Sequence, residues 1–349
     1  MRIRSYILYV LLSLLILGCK QGPNYQDATA SKGNHNFDYS ILFVSCNDQD
    51  RPQPLWGPIL EQQADLFIWG GDNIYADTED MVKMKLDYDK VWARPEYVKL
   101  ANHTAVTGTW DDHDFGIDDG GKEYPKIEES KKLFLDFLRV SKDDPRWSRE
   151  GIYTSEIYET PKGSIKLILL DTRTFRDSLK KSQDPDRRYD PWRSGDEGTI
   201  LGEEQWIWLQ EELKGDAQDF TLIVSSIQFL NDRHGWESWG LFPSEVKRFE
   251  QLLSAATTTP IIILSGDRHL AEISKAKMEG LDYPLIDFTA SGMTHTWIDG
   301  ATEANEHRIS NVVKRLNFGL LQFDFENKQV LFQIRGENNF LYEQHLQQY

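Results

Sequence analysis

The feature that most restricts the fold of this chain is a recurring pattern. Short apolar runs rich in β-branched residues stop abruptly at polar or ionisable side chains, and segments of helical periodicity lie between them. The runs are Ile41–Cys46, Leu66–Asp72, Ala105–His113, Ile165–Arg173, Leu222–Gln228 and Ile261–His269. Continuous apolar runs of this length predict strands covered on both faces. Pro54–Ala64, Thr78–Ala101, Pro125–Val140, Gly202–Gly215 and Pro243–Ala256 read as helices, and Glu203-Glu204 and Pro243-Ser244-Glu245 supply first-turn residues. Strands alternating with helices imply parallel neighbours whose carboxyl ends share one edge, where open α/β sheets bind ligands. Cys46, Asp72, Asp111, Asp112, His113, Arg173, Gln228, Asp267 and His269 then meet at one rim. Ile152–Tyr158 with Ile165–Leu170, and Phe318–Phe325 with Val330–Ile334, read instead as hairpins, so mixed sheets are expected. The polar stretch from Arg176 to about Thr199 reads as a substrate-side flap.

Composition and the amino terminus exclude several classes. The 11 Trp, 17 Phe and 14 Tyr need a core to be ordered in, which rules out a disordered chain. A net charge of −17 offers no field for phosphate backbones, so no nucleic-acid-binding surface is expected. Arg2 and Arg4 precede a run from Tyr6 to Leu17 that is apolar except for Ser13 and ends in Ile16-Leu17-Gly18-Cys19. That run is shorter than the ~20 residues a membrane-spanning helix needs and reads as an export signal. It resembles a bacterial lipoprotein signal, which implies cleavage before Cys19 and lipidation of its sulfur. The expected organisation is a signal peptide over 1–18, a polar lipid-anchored tether over 19–38 and one catalytic domain over 39–349, placed in the periplasm or at the cell surface. With Cys19 acylated, Cys46 has no disulfide partner and is a buried filler, a ligand or a nucleophile.

Cys46, Asp72, Tyr75, Asp112, Asp267 and His269 offer thiolate, carboxylate, phenolate and imidazole donors, and a rim so crowded with anions calls for a cation. In Gly266-Asp267-Arg268-His269 the alternation of a strand end puts Asp267 and His269 on one face and Arg268 on the other, so two ligands point into one site. The sequence contains no Gly-x-Ser-x-Gly elbow, no His-Glu-x-x-His pair and no EF-hand spacing across Asp111–Asp119.

Ser45-Cys46-Asn47, Gly71-Asp72-Asn73-Ile74-Tyr75, Trp110-Asp111-Asp112-His113-Asp114, Leu170-Asp171-Thr172-Arg173, Ser225-Ser226-Ile227-Gln228 and Ser265-Gly266-Asp267-Arg268-His269 resemble, in order, the motifs of the alkaline phosphatase D (PhoD-type) family. The resemblance runs from about residue 39 to residue 295. It implies a metallo-dependent phosphatase fold, an α/β four-layer α/β/β/α sandwich with two mixed sheets. It also implies Fe3+ and Ca2+ cofactors and hydrolysis of phosphodiesters and phosphomonoesters. By position, Cys46, Tyr75 and His269 correspond to iron ligands, Asp72 to the bridging carboxylate, and Asp112 and Asp267 to calcium ligands. Ser225-Ser226-Ile227-Gln228 stands where related phosphatases carry a histidine, which leaves the second metal open.

On this reading Asn73 and Arg173 donate to the phosphoryl group, and His113, oriented by Asp111, protonates the leaving oxygen. Arg173 has an equally plain alternative, an ion pair with Asp171 or Asp177. Trp239 in Gly235–Trp239 and His295 in Thr294–Trp297 are candidate substrate contacts, unless these aromatic segments simply pack beneath loops. A phosphate-scavenging monoesterase, or a non-catalytic lipoprotein that binds a glycan or headgroup on the same fold, are the competing functions. Oligomeric state is not legible from the sequence.

Overall fold

The computed structural model describes residues 37–193, 195–215, 218–256, 259–298 and 303–349. The signal peptide, Cys19 and nearly all of the tether lie outside the described residues. In chain order the strands are β1 (Tyr39–Val44), β2 (Leu66–Gly70), β3 (Ala105–Thr109), β4 (Thr154–Thr160), β5 (Gly163–Leu169), β6 (Lys180–Lys181), β7 (Tyr189–Asp190), β8 (Phe220–Val224), β9 (Ile261–Ser265), β10 (Ala271–Lys277), β11 (Pro284–Ala290), β12 (Phe318–Asp324), β13 (Gln329–Arg335) and β14 (Leu341–Gln348). The helices are α1 (Trp56–Glu61), α2 (Met81–Trp92), α3 (Pro95–Ala101), α4 (Asp112–Phe115), α5 (Ile127–Phe137), α6 (Gly202–Lys214) and α7 (Pro243–Ala255).

Side-chain alternation along the strands builds three apolar layers. Ile41 and Phe43 of β1 and Leu66 and Ile68 of β2 face Leu167, Leu222 and Ile262 of the opposing sheet. Their neighbours Leu42, Val44, Phe67 and Trp69 point the other way, onto Trp56, Met84, Tyr97 and Phe134 of α1, α2, α3 and α5. On the far side Ile168, Ile223 and Ile263 meet Trp206, Leu209, Phe249 and Leu253 of α6 and α7. Each of these buried apolar side chains contributes about 1.5–3 kcal/mol. Three layers of core between four layers of structure make the expected α/β/β/α sandwich.

Both six-stranded sheets are mixed: β14-β13-β12-β1-β2-β3 and β10-β11-β9-β8-β5-β4. The parallel strands are β1, β2 and β3 in one and β5, β8, β9 and β11 in the other. The hairpins β4–β5 and β12–β13 form as expected. Among the described residues, Arg176–Thr199 carries the two-residue ladder of β6 with β7 and an isolated bridge of Arg193 with Asp196.

Three expectations needed correction. The helix expected over Thr78–Ala101 is two, α2 capped by Asp80 and α3 started by Pro95, because Arg94 before the proline is driven to ψ 122. The apolar run to His113 ends as a strand at Thr109, and Asp111 instead begins α4 through a reciprocal cap with Asp114. β10, β11 and β14 were not anticipated. Among the described residues no helix is long and apolar enough to cross a membrane.

Candidate metal centre

The parallel strands of both sheets end at one rim, and there the backbone bends sharply. Cys46, Asp72, Asp267 and His269 adopt φ of 62°, 54°, 67° and 51°, a left-handed region costing non-glycine residues about 1–3 kcal/mol each. Because Asp267 and His269 sit in such turns beyond the end of β9, strand alternation is not what aims them. Both nevertheless reach the centre. The loops are pinned to one another. Asn47 N donates to Asp72 O at 2.8 Å, Gly266 N to Ser226 O at 2.7 Å, and His269 N to Ser291 Oγ at 2.9 Å. Asp114, fully buried, accepts from the amides of Asp111, Asp72 and Asn73 at 2.7–3.3 Å, and burial pushes its pKa up to about 8. Gly71 has φ 102°, and a Cβ there would stand 2.6 Å from Asp111 Cβ, so the second and third strand ends meet only because this residue has no side chain.

Two donor groups result. In the first, Cys46, Asp72 and His269 present one ligand atom each, all within 4.8 Å of one another. Tyr75 joins them: its hydroxyl lies 2.9 Å from His269 Nε2 and donates to Asp72 Oδ2 at 3.3 Å, the oxygen that Cys46 Sγ also approaches at 3.3 Å. Burial, with neighbouring anions, drives Asp72 and Tyr75 well above their ordinary pKa values and Cys46 up to about 11. In the second group Asp111, Asp112 and Asp267 converge within the same 4.8 Å, and Asp72, Asp112 and His113 link the two. Burial raises Asp111 to about 7 and Asp267 well above the carboxylate range. Burial acts the same way on Asp112, but His113 and Arg173 outweigh it and hold this carboxyl low. A cation satisfies such crowded, desolvated anions far better than protons do, and the donor set fits one. Anionic thiolate and phenolate donors lie on one side and carboxylate oxygens, which suit a hard ion, on the other.

The supporting residues differ from expectation. Arg173 is wholly buried: Nε donates to Asp111 Oδ1 at 2.6 Å and Nη1 to Glu237 Oε2 at 2.7 Å, so it pairs with neither Asp171 nor Asp177 through its side chain, and it is not among the residues that line the mouth. Breaking a buried pair of this kind costs about 3–5 kcal/mol. Ser226 Oγ gives Asp111 Oδ1 a second hydrogen bond at 2.6 Å. Asn73 spends both amide hydrogens on Thr109 O (2.9 Å) and Asp114 Oδ2 (2.6 Å), leaving Oδ1 a buried acceptor without a hydrogen bond. It has no hydrogen to give a phosphoryl group. Asp111, committed to Arg173 and Ser226, does not orient His113. That role falls to Asp77, whose carboxylate meets His113 Nδ1 at 2.8 Å, while the ring stacks on Tyr75 at 4.1 Å. Gln228 leaves the rim, donating to Glu272 and Thr289.

The mouth, a cavity of about 60 Å³, is bordered by Asp112, His113, Asp267 and His269 and by Trp236, Trp297 and Arg188. Trp236 and Trp297 form an edge-to-face pair at 4.4 Å. Trp239 is the wrong tryptophan of its segment: it is fully buried, stacked on Phe249 and bonded to Ser225 Oγ at 2.8 Å. His295 packs its ring 4.4 Å from His269 and 5.0 Å from Tyr75, beside the first donor group. Asp77, Asp114, Glu237 and Arg188 were not anticipated. Only Asp114 carried a signal, its position three residues after a capping Asp111.

A solved structure of PhoD superposes with a TM-score of 0.64 at 18% identity, covering 89% of this chain and 68% of that one. GAP50, the anchor in the inner membrane complex of Plasmodium, gives 0.55 at 10% identity over 89% and 88% of the two chains. A dimetal phosphatase from Danio rerio gives 0.52 at 12% identity over 90% and 100%. At these identities the likeness establishes the fold. No curated protein matches the sequence. The family model for PhoD-like phosphatases matches residues 145–330, more than half of the chain, including Arg173, Asp267 and His269. By that match the chain belongs to the PhoD-like phosphatase family, hydrolases of phosphate esters.

Proposed function

We propose that this protein is an exported, lipid-anchored phosphoesterase that uses ferric iron and calcium to hydrolyse phosphodiesters and phosphomonoesters, diesters preferentially. The observation that carries the reading is the meeting of two unlike donor groups at Asp72 and Asp112, one with thiolate and phenolate, the other with carboxylates only. Cys46, Tyr75 and His269 would hold iron, Asp72 would bridge, and Asp112 and Asp267 would hold calcium. The buried Oδ1 of Asn73 is a further acceptor suited to a cation. When bound, the ions supply a water of lowered pKa and neutralise the phosphoryl oxygens.

The chain's own residues do the rest. Asp77 fixes His113 through Nδ1, which leaves Nε2 to deliver a proton to the departing oxygen. Arg173 and Ser226 hold Asp111 in place, so they position the carboxylate group without touching substrate. Trp236 and Trp297 restrict entry to the mouth.

The test is a visible absorption spectrum with metal analysis on the mature protein prepared without chelator. A broad charge-transfer band with iron bound, lost in both Cys46→Ser and Tyr75→Phe, is expected. A colourless, iron-free protein would end the iron assignment. Steady-state rates on a monoester and a diester of one leaving group then settle the ester preference.

A further inference from the structure

Three guanidinium groups border the candidate centre. Arg173 is sealed beneath it, and Arg268 is buried against Glu303, which takes its Nη2 at 2.9 Å. Arg188 differs from both. It lines the mouth with Asp112, His113, Asp267 and His269, and its side chain is 40% exposed. Its backbone is nevertheless fixed, because the amides of Arg188 and Tyr189 both donate to Gly235 O, at 2.8 and 3.0 Å.

Its contacts are lopsided. One nitrogen, Nη2, serves both Asp118 Oδ2 at 2.7 Å and Asp119 Oδ2 at 2.6 Å. Nε and Nη1 make no hydrogen bond among the described residues. Exposed pairs of this kind hold a side chain weakly. Asp119 lies next to the second donor group, since Asp112, Asp118 and Asp119 each present a carboxylate oxygen within 4.8 Å of the others. The guanidinium keeps unused donors at Nε and, at its outer end, Nη1, and a charged N–H there suits an anionic phosphoryl oxygen.

We propose that Arg188 binds a non-bridging oxygen of the substrate's phosphoryl group and of product phosphate through Nη1, with Nη2 kept on the Asp118–Asp119 pair. This inference rests on the phosphoesterase reading and assigns to Arg188 the contact that buried Arg173 is unable to make.

Calorimetric titration of the metal-loaded protein with inorganic phosphate tests it without requiring turnover. Arg188→Ala is expected to bind phosphate about 10- to 100-fold more weakly, the loss of a charge-assisted pair. Metal content and thermal midpoint should stay at wild-type values, and Arg188→Lys should recover part of the affinity. Unchanged phosphate affinity in Arg188→Ala would overturn the proposal, as would a wild type that binds no phosphate, or weakening that tracks lost metal. If Arg188 governs phosphate binding but neither a monoester nor a diester is hydrolysed, the inference stands and the phosphoesterase reading falls.

Discussion

The two donor groups at the rim are built in opposite ways. The Cys46–Asp72–Tyr75–His269 group draws on three strand ends and, among the described residues, has no arginine or lysine in its closest contacts: Ser45 and Ser291 approach Cys46 Sγ at 3.2 and 3.1 Å, and the His113 ring stacks on Tyr75 at 4.1 Å. The Asp111–Asp112–Asp267 group is underpinned by an arginine that is itself held by Glu237, and Glu237 also pairs with buried Arg176. One group leaves its charge to be met by whatever it binds. The other is partly neutralised in advance, so it should hold its cation less tightly and depend on a remote ion-pair network. The difference teaches that a shared rim need not mean a shared electrostatic design.

Four substitutions test that contrast, beginning with the largest effect. Asp72→Ala removes the residue proposed to bridge the groups, and kcat should fall on the order of a thousandfold or more, with both metals depleted. Metal analysis showing one ion at full occupancy would break the link between the groups. Next, Tyr75→Phe and Asp267→Asn should divide the loss: the first removes colour and iron but spares calcium, and the second does the reverse. If either variant loses both ions together, the groups are one site. Asp77→Asn leaves the donors alone and frees His113, so kcat should fall about 10- to 100-fold, the usual cost of losing an orienting carboxylate. The fall should be smaller for a substrate with an activated leaving group. An equal loss on both substrates would remove His113 as the proton donor.

The smallest effect is in stability. Burial holds His234, near the mouth, well below its ordinary pKa of 6.5, so the folded protein keeps it neutral while the unfolded chain protonates it. The unfolded state therefore binds more protons below pH 6.5, and stability falls with pH there by up to about 1.4 kcal/mol per unit. His234→Asn should flatten the thermal midpoint between pH 6.5 and 5 relative to wild type. Parallel curves for the two proteins would refute this.

How much of this was legible in the sequence follows from where each residue sits. Cys46, Asp72, Asp112, Asp267 and His269 follow directly on apolar runs, and a strand that ends at a known edge fixes where the next side chains go. β10 and β11 escaped because Glu272 and Asp287 interrupt their apolar character. Both are buried and satisfied from afar, Glu272 by Arg308, Gln228 and Asn305, and Asp287 by Ser265 and the amides of Phe229 and Leu230. Those partners are 22 to 58 residues away in the chain, beyond any local pattern. Asp77 and Glu237 belong to loops, whose side-chain directions no periodicity encodes. The choice between Trp236 and Trp239 was of the same kind: two residues separate a ring at the mouth from one in the core.

The left-handed turns at Cys46, Asp72, Asp267 and His269 carry a consequence for ion choice. Donor spacing there is set by main-chain torsions and by amide hydrogen bonds between loops, and flexible side-chain reach has little part in it. A cage of fixed spacing ranks ions by radius as well as by chemical softness, and it does not contract around a smaller ion or expand around a larger one. Exchanging one ligand residue for another should therefore empty this centre more readily than retune it. A change of metal preference would have to begin in the turns.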